Sequence, residues 1–281
     1  MKELIKQLES VKLTIFDLDG VVYRGNEMIP NSDNVIQTLK DMGIKVVYNS
    51  NNSTTSRDMY VKRLTNMGIP SEYHDFYTSA SITALEITKI KKNANIYVIG
   101  DIGLREELKA QGHSIITAES KFNEVDFVIV GLDIKLTYKK IRIAQKCILR
   151  GNAEFYATNP DTTLPMPDGL WPGAGVMVNA IETCTGRKPV KTFGKPEPYG
   201  IKATLRDLKI KPDEACIFGD RLDTDILAGN RANIITVMVL TGVTTKTEID
   251  KLMEDPNKYG NLNKKLIPDL TINSLEDIFI N

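Results

Sequence analysis

The chain has 281 residues, at or above the size at which one hydrophobic core stops growing, so two domains are expected. Hydrophobic residues make up 42% and charged residues 26%, the balance of a globular protein with ample apolar surface to bury, which excludes extensive disorder. Lys and Arg total 36, as do Asp and Glu, so there is no excess positive charge to drive counterion release from a nucleic acid.

In chain order, short β-branched runs alternate with amphipathic stretches that begin at Ser, Thr or Asp and end near Gly. That rhythm predicts repeated β-α units around a parallel sheet. The first strand is Leu13 to Asp17, followed by a helix from Ser32 to Met42 stopped at Gly43. Next come a strand Ile44 to Tyr48, a helix Ser56 to Met67, a short strand Phe76 to Thr78 and a helix Ile82 to Lys89. A second cycle runs through strands at Asn95 to Ile99, Asp126 to Val130 and Glu154 to Thr158, with a helix ending before Gly112 and another from Tyr138 to Leu149. It closes with a Pro/Gly-rich loop and a helix from Gly175 to Cys184. After Pro189 the pattern resumes with Thr192-Phe193, a strand Ala215 to Phe218, a helix Asp223 to Asn230 and a strand Ile234 to Leu240.

Cys147, Cys184 and Cys216 are widely spaced and odd in number, which fits a reducing compartment better than a disulfide framework. The first dozen residues lack the apolar core of a secretory signal, and no run approaches the roughly 18 apolar residues needed to span a bilayer. A cytoplasmic protein with no membrane partner is expected.

Four short sites fall at the ends of predicted parallel strands, where ligand crevices of such sheets lie. The first is Asp17-Leu18-Asp19-Gly20, two carboxylates on alternate residues of an extended segment and so able to converge on one ion or substrate. The second is Asn49-Ser50-Asn51-Asn52-Ser53, hydroxyl and amide groups suited to phosphate oxygens, although Ser and Asn are also the preferred helix N-caps. The third is Gly194-Lys195-Pro196, where a lysine at the mouth of a sheet can place positive charge on a phosphoryl oxygen. The fourth is Gly219-Asp220 with Asp225 five residues on; hard oxygen ligands from two strands are what Mg²⁺ takes. Each site alone has a structural alternative. Their joint occurrence in the order acid pair, hydroxyl/amide, lysine, acid points to phosphate chemistry.

On these four motifs the sequence resembles the haloacid dehalogenase superfamily of phosphatases. The insertion between the second and third motifs, Thr158-Asn159-Pro160-Asp161, Pro172-Gly173-Ala174-Gly175 and Leu240-Thr241-Gly242-Val243 resemble its NagD-like branch, with p-nitrophenyl, phosphoglycolate and pyridoxal phosphate phosphatases. The resemblance implies a Rossmann-like parallel α/β core formed by residues 1–90 and 189–281, interrupted by an α/β cap at 91–188. It implies Asp17 as the nucleophile that forms an aspartyl-phosphate, and Asp19 as the acid and base. Ser50, the Asn51 backbone and Lys195 would hold phosphoryl oxygens. Mg²⁺ would be bound by Asp17, the Asp19 carbonyl and Asp220, with Asp225 supporting through water or a hydrogen bond. The expected substrate loop contains Asn159, Asp161 and Leu164; Leu164 stands where pyridoxal phosphate phosphatases carry a His, which argues against that vitamer. The branch commonly has Thr at the place of Ser50, which preserves the hydroxyl. The expected partner is a small phosphorylated metabolite, and the branch allows a homodimer through the cap. A phosphomutase or phosphotransferase, or a binding protein without turnover, are the competing readings.

Several other features have modest roles in this scheme. Ile99-Gly100-Asp101-Ile102-Gly103 lacks the third glycine of a dinucleotide loop. His74 and His113 have no Ser or Cys partner motif, and Cys216, Tyr156 and Trp171 are expected to pack.

Overall fold

The computed structural model describes residues 2–166, 169–254 and 264–280. Eleven strands of its two larger sheets are, in chain order, β1 (Leu13–Phe16), β2 (Lys45–Ser50), β3 (Phe76–Thr78), β4 (Asn95–Ile99), β5 (Ser114–Ile115), β6 (Phe127–Val130), β7 (Glu154–Ala157), β8 (Lys191–Thr192), β9 (Ala215–Gly219), β10 (Ile235–Val239) and β11 (Leu270–Ile272). The chain divides into two compact units. One holds residues 1–50, 61–77 and 195–281, and the other 51–60 and 78–194.

The first unit carries the six-stranded sheet, ordered β11-β10-β9-β1-β2-β3. β1 runs parallel to both β2 and β9, and β9 to β10. β1 and β9 are buried along their whole lengths, which explains their near-continuous apolar sequences, since a parallel strand is covered on both faces. Leu13, Ile15, Ile217 and Ala228 share one core cluster, and Phe16 stacks on Phe218 with ring centroids 4.7 Å apart. The register Phe16 opposite Phe218 and Tyr48 brings three strands to an end at one level. Asp17, Ser50 and Asp220 are therefore delivered to the same edge of the sheet.

The second unit has a five-stranded parallel sheet, ordered β8-β7-β6-β4-β5. Its core is built from Ile99, Val128, Val130, Phe155 and Ala157, packed with Ile143, Cys147 and Ile181 of two helices. Tyr156 packs edge-on to Phe127 and stacks with Phe193.

Some local features differ from those expected. The helix predicted to start at Ile82 spans Ser79–Ile90, because Thr78 and Ser81 form a reciprocal capping box that starts it a turn earlier. The Pro/Gly-rich stretch after β7 contains a β-hairpin, Thr163–Met166 paired with Gly169–Pro172, where proline is tolerated because both strands are edges. Trp171, expected to pack, is 44% exposed on this hairpin. The helix predicted from Asp223 opens with a π-helical turn, Leu222–Ile226, before the α-helix Leu227–Ala232. At Gly100-Asp101-Ile102-Gly103, which the sequence did not support as a dinucleotide loop, Asp101 caps the helix Ile102–Ala110, and a β-carbon at Gly103 would overlap the Thr54–Thr55 backbone. No helix of the described residues is long and apolar enough to cross a membrane.

Candidate active site

Lys195 is the hub of the site in the first unit. Its side chain is only 4% exposed, which excludes a solvated surface role. The ammonium donates to Asp17 Oδ1 at 2.7 Å, to Asp225 Oδ1 at 2.5 Å and to the Asn49 carbonyl at 2.8 Å. One buried cation thus ties the ends of β1 and β2 to the π-turn after β9. Burial alone would push its ammonium down, but Asp17 and Asp225 outweigh that and hold it above the usual lysine range.

Asp17, Asp220 and Asp225 bring carboxylate oxygens within 4.8 Å of one another. Desolvation raises the Asp17 carboxyl well above its ordinary range; Lys195 opposes this, while Asp225 and Asp220 add to it. Asp220 is pushed up to about 7, first by burial and then by the charge of Asp225. Three converging acids with one ammonium between them leave a surplus of negative charge that a cation would relieve, and hard carboxylate oxygens are the donor type for a divalent ion. This donor set fits a metal.

The surroundings are shaped to admit these acids. Gly20 sits at φ +84°, and a β-carbon there or at Gly242 would overlap the Asp220 carboxylate. Glycine is required at both positions by close approach. The loop after β10 closes the same corner, with the Val243 N–H donating to Asp220 Oδ2 at 2.8 Å and the Thr244 N–H to the Asp220 carbonyl at 3.0 Å.

The π-turn separates two acids that are alike in sequence. Asp223 faces outward and pairs with Arg221 at 2.8 Å, whereas Asp225 is buried, accepts from the Arg221 N–H and reaches Lys195. Asp225, expected in a supporting role through water or a hydrogen bond, is hydrogen-bonded to Lys195 and belongs to the acidic cluster.

Asp19 stands apart from the cluster and keeps access to solvent. Desolvation by the surrounding protein raises its carboxyl, against the charges of Arg63 and Arg24 and a hydrogen bond from the Gly25 backbone. An acid with a raised pKa is suited to hold and deliver a proton.

Ser50 is buried at the end of β2. The residues after it belong to the second unit and have separate duties. The Asn51 side-chain amide donates to both carboxylate oxygens of Asp161, at 3.2 and 3.0 Å, while its carbonyl accepts from Ser79 Oγ at 2.6 Å. Asn52 accepts from the Thr54 N–H at 2.8 Å, and Ser53 Oγ from the Leu132 N–H at 3.3 Å. Asn159 Nδ2 also donates to Asp161, at 3.0 Å. Of the expected substrate loop, Asn159 and Asp161 are thus occupied in an internal network, and Leu164 is half-buried against the core of this unit. Arg24 and Arg63 were not marked by the motifs, because nothing local distinguishes a lone arginine.

Comparisons with known proteins assign the chain to a family. A family model described as haloacid dehalogenase-like hydrolase matches residues 14–114, and a second, HAD-hydrolase-like, matches 192–275. An acid sugar phosphatase of Staphylococcus saprophyticus is 36% identical, with 89% of this chain and 94% of that protein covered. The chain belongs to the haloacid dehalogenase-like hydrolase family. A 5'-nucleotidase of Bacillus subtilis is 34% identical over the same shares of both proteins. Among solved structures, a p-nitrophenyl phosphatase from Archaeoglobus fulgidus superposes with a TM-score of 0.85 at 33% identity, covering 95% of this chain and 97% of the other. A 4-nitrophenylphosphatase from Thermotoga maritima gives 0.85 at 31% identity, covering 96% and 97%. This haloacid dehalogenase-like hydrolase is a phosphoric monoester hydrolase with a Rossmann-like α/β core.

Proposed function

We propose that the enzyme hydrolyses small phosphorylated metabolites, of the sugar phosphate or nucleotide type, through an aspartyl-phosphate on Asp17. The observation that carries this reading is the buried Lys195 paired with Asp17 beside two further carboxylates at the sheet edge. The substrate classes are supported by the names of the sugar phosphatase and nucleotidase relatives.

In this reading an Asp17 carboxylate oxygen attacks phosphorus, and the ester P–O bond breaks as the Asp19 carboxyl gives its proton to the leaving oxygen. Asp19, now a carboxylate, takes a proton from the water that attacks the phosphoaspartate, and phosphate leaves. Lys195 holds the Asp17 carboxylate in one orientation and offsets charge on the transferring group. Ser50 and the Asn51 backbone hold phosphoryl oxygens. Mg²⁺ is the proposed cation, held by Asp17, the Asp19 carbonyl and Asp220, and when bound it neutralises charge that would otherwise repel an anionic substrate. The second unit is proposed as the cap that selects the leaving group.

The test is a phosphate-release screen over sugar phosphates, nucleotides, phosphoglycolate and p-nitrophenyl phosphate, with Mg²⁺ and with chelator. Release without any acceptor, lost in Asp17→Asn and lost with chelator, is expected. Full activity in that variant would overturn the mechanism, and a requirement for an organic acceptor would make the enzyme a transferase.

A further inference from the structure

The hairpin that follows the acid pair is anchored by an arginine that lies outside every motif. Strands Tyr23–Arg24 and Glu27–Met28 pair antiparallel across Gly25 and Asn26, with Gly25 at φ +57°. The hairpin is bonded back to the acid run: the Gly20 N–H donates to the Tyr23 carbonyl at 2.7 Å, and Asp19 forms a β-bridge with Tyr23. Arg63, on the helix Arg57–Asn66, lies with its guanidinium over the Tyr23 ring, 3.9 Å from the centroid, and donates to the Gly25 carbonyl. Tyr23 is 2% exposed, so this stack is an interior one, where a cation over an aromatic face contributes most.

Gly25 is thereby held on both sides. Its carbonyl accepts from Arg63 Nη2, and its N–H serves the Asp19 carboxyl. Arg24 has a different task, donating to the Thr241 carbonyl, while the Thr241 hydroxyl donates to the Gly20 carbonyl at 2.6 Å. That tie secures the start of the hairpin and leaves its turn to Arg63.

We propose that Arg63 is a positioning residue for Asp19: by stacking on Tyr23 and fixing the Gly25 carbonyl, it holds the turn against which the acid rests and so sets its aim at the leaving oxygen. The proposal rests on the reading of Asp19 as the general acid. A lysine could supply the charge, but it lacks the planar fork that stacks and donates together.

The experiment compares kcat/KM for p-nitrophenyl phosphate, whose leaving group departs without a proton, and phenyl phosphate, whose leaving group needs one. Because kcat/KM reports steps up to departure of the phenol, later hydrolysis of the phosphoenzyme does not mask the effect. Arg63→Met is expected to lower kcat/KM for phenyl phosphate by about tenfold or more and for p-nitrophenyl phosphate by roughly twofold or less. Arg63→Lys, which retains the charge, is expected to show the same leaving-group dependence at smaller size, and serves if the Met variant does not fold. Asp19→Asn is measured alongside and should show the steepest dependence. Equal losses on both esters in the Arg63 variants, or no loss, beside a steep dependence in Asp19→Asn would overturn the positioning role alone. A flat response in Asp19→Asn would overturn the acid reading, and the proposal with it.

Discussion

Lys195 Nζ and Asp225 Oδ1 lie 2.5 Å apart, and both side chains are shielded from solvent. The same ammonium serves Asp17, so one charge compensates two carboxylates, Asp225 buried and Asp17 partly so. Removing it should cost more than a surface ion pair would, because the acids left behind cannot be rehydrated. Lys195→Met is expected to lower kcat by about 100-fold or more. It should also destabilise the protein by ~3–5 kcal/mol at pH 8. The stability loss should shrink toward pH 5, since Asp17, whose carboxyl burial already raises, can then take up a proton. Urea titrations at both pH values, with kcat on the folded fraction, check this; an equal loss at both would contradict it.

Asp220 gives a pH-dependent signature in the metal-free protein. Its folded carboxyl titrates at about 7, raised by burial and by Asp225, against about 3.9 for an unfolded aspartate. Between these values the folded state binds the extra proton, so this group's contribution is fully present below the unfolded pKa and is lost as pH rises through about 7. In chelator, the wild type should lose stability relative to Asp220→Asn between pH 5 and pH 8. Added Mg²⁺ should raise the melting temperature more at pH 8 than at pH 5, because ionised acids bind it better. Differential scanning fluorimetry at the two pH values reads both effects.

His113 titrates in the opposite sense. It is buried in the second unit, where Nδ1 accepts from the Ala94 N–H at 3.1 Å and Nε2 meets Thr88 Oγ1 at 2.9 Å. Desolvation lowers its pKa below 6.5, so the unfolded chain takes the proton first. Stability from this group is present above the unfolded pKa of about 6.5 and falls as pH drops below it. Protonation would also orphan the Ala94 N–H. His113→Asn, whose amide oxygen can replace Nδ1, is expected to flatten the stability profile between pH 7 and pH 5, as measured by denaturant midpoints. An unchanged slope would count against this role for the imidazole.

The parallel α/β architecture was legible because its signals are local. Buried strands such as Leu13–Phe16 and Ala215–Gly219 are apolar along their length, and each ends at an acid. The register that aligns Phe16 with Phe218 then brings those acids to one edge without further instruction. What periodicity could not reveal was which neighbouring residues would have different environments. Asp223 and Asp225 read alike as acids in a helix start, yet the π-turn sends one to solvent and the other to Lys195. Asn51 read as a phosphate ligand or a cap, and nothing in its own neighbourhood revealed that its side chain meets Asp161, 110 positions away.

The sequence by itself determined most of the sheet strands and their order, the four motif positions and the family, since strand patterning and residue type at strand ends act within a few residues of chain. Only the tertiary structure decided that Lys195 is buried among Asp17, Asn49 and Asp225, that Gly20 and Gly242 must lack a β-carbon beside Asp220, and that Arg63 grips the hairpin after Asp19. Those outcomes depend on distant segments packing together, Lys195 and Asp17 standing 178 positions apart yet within one hydrogen bond, and contacts of that range leave no periodic trace in the chain.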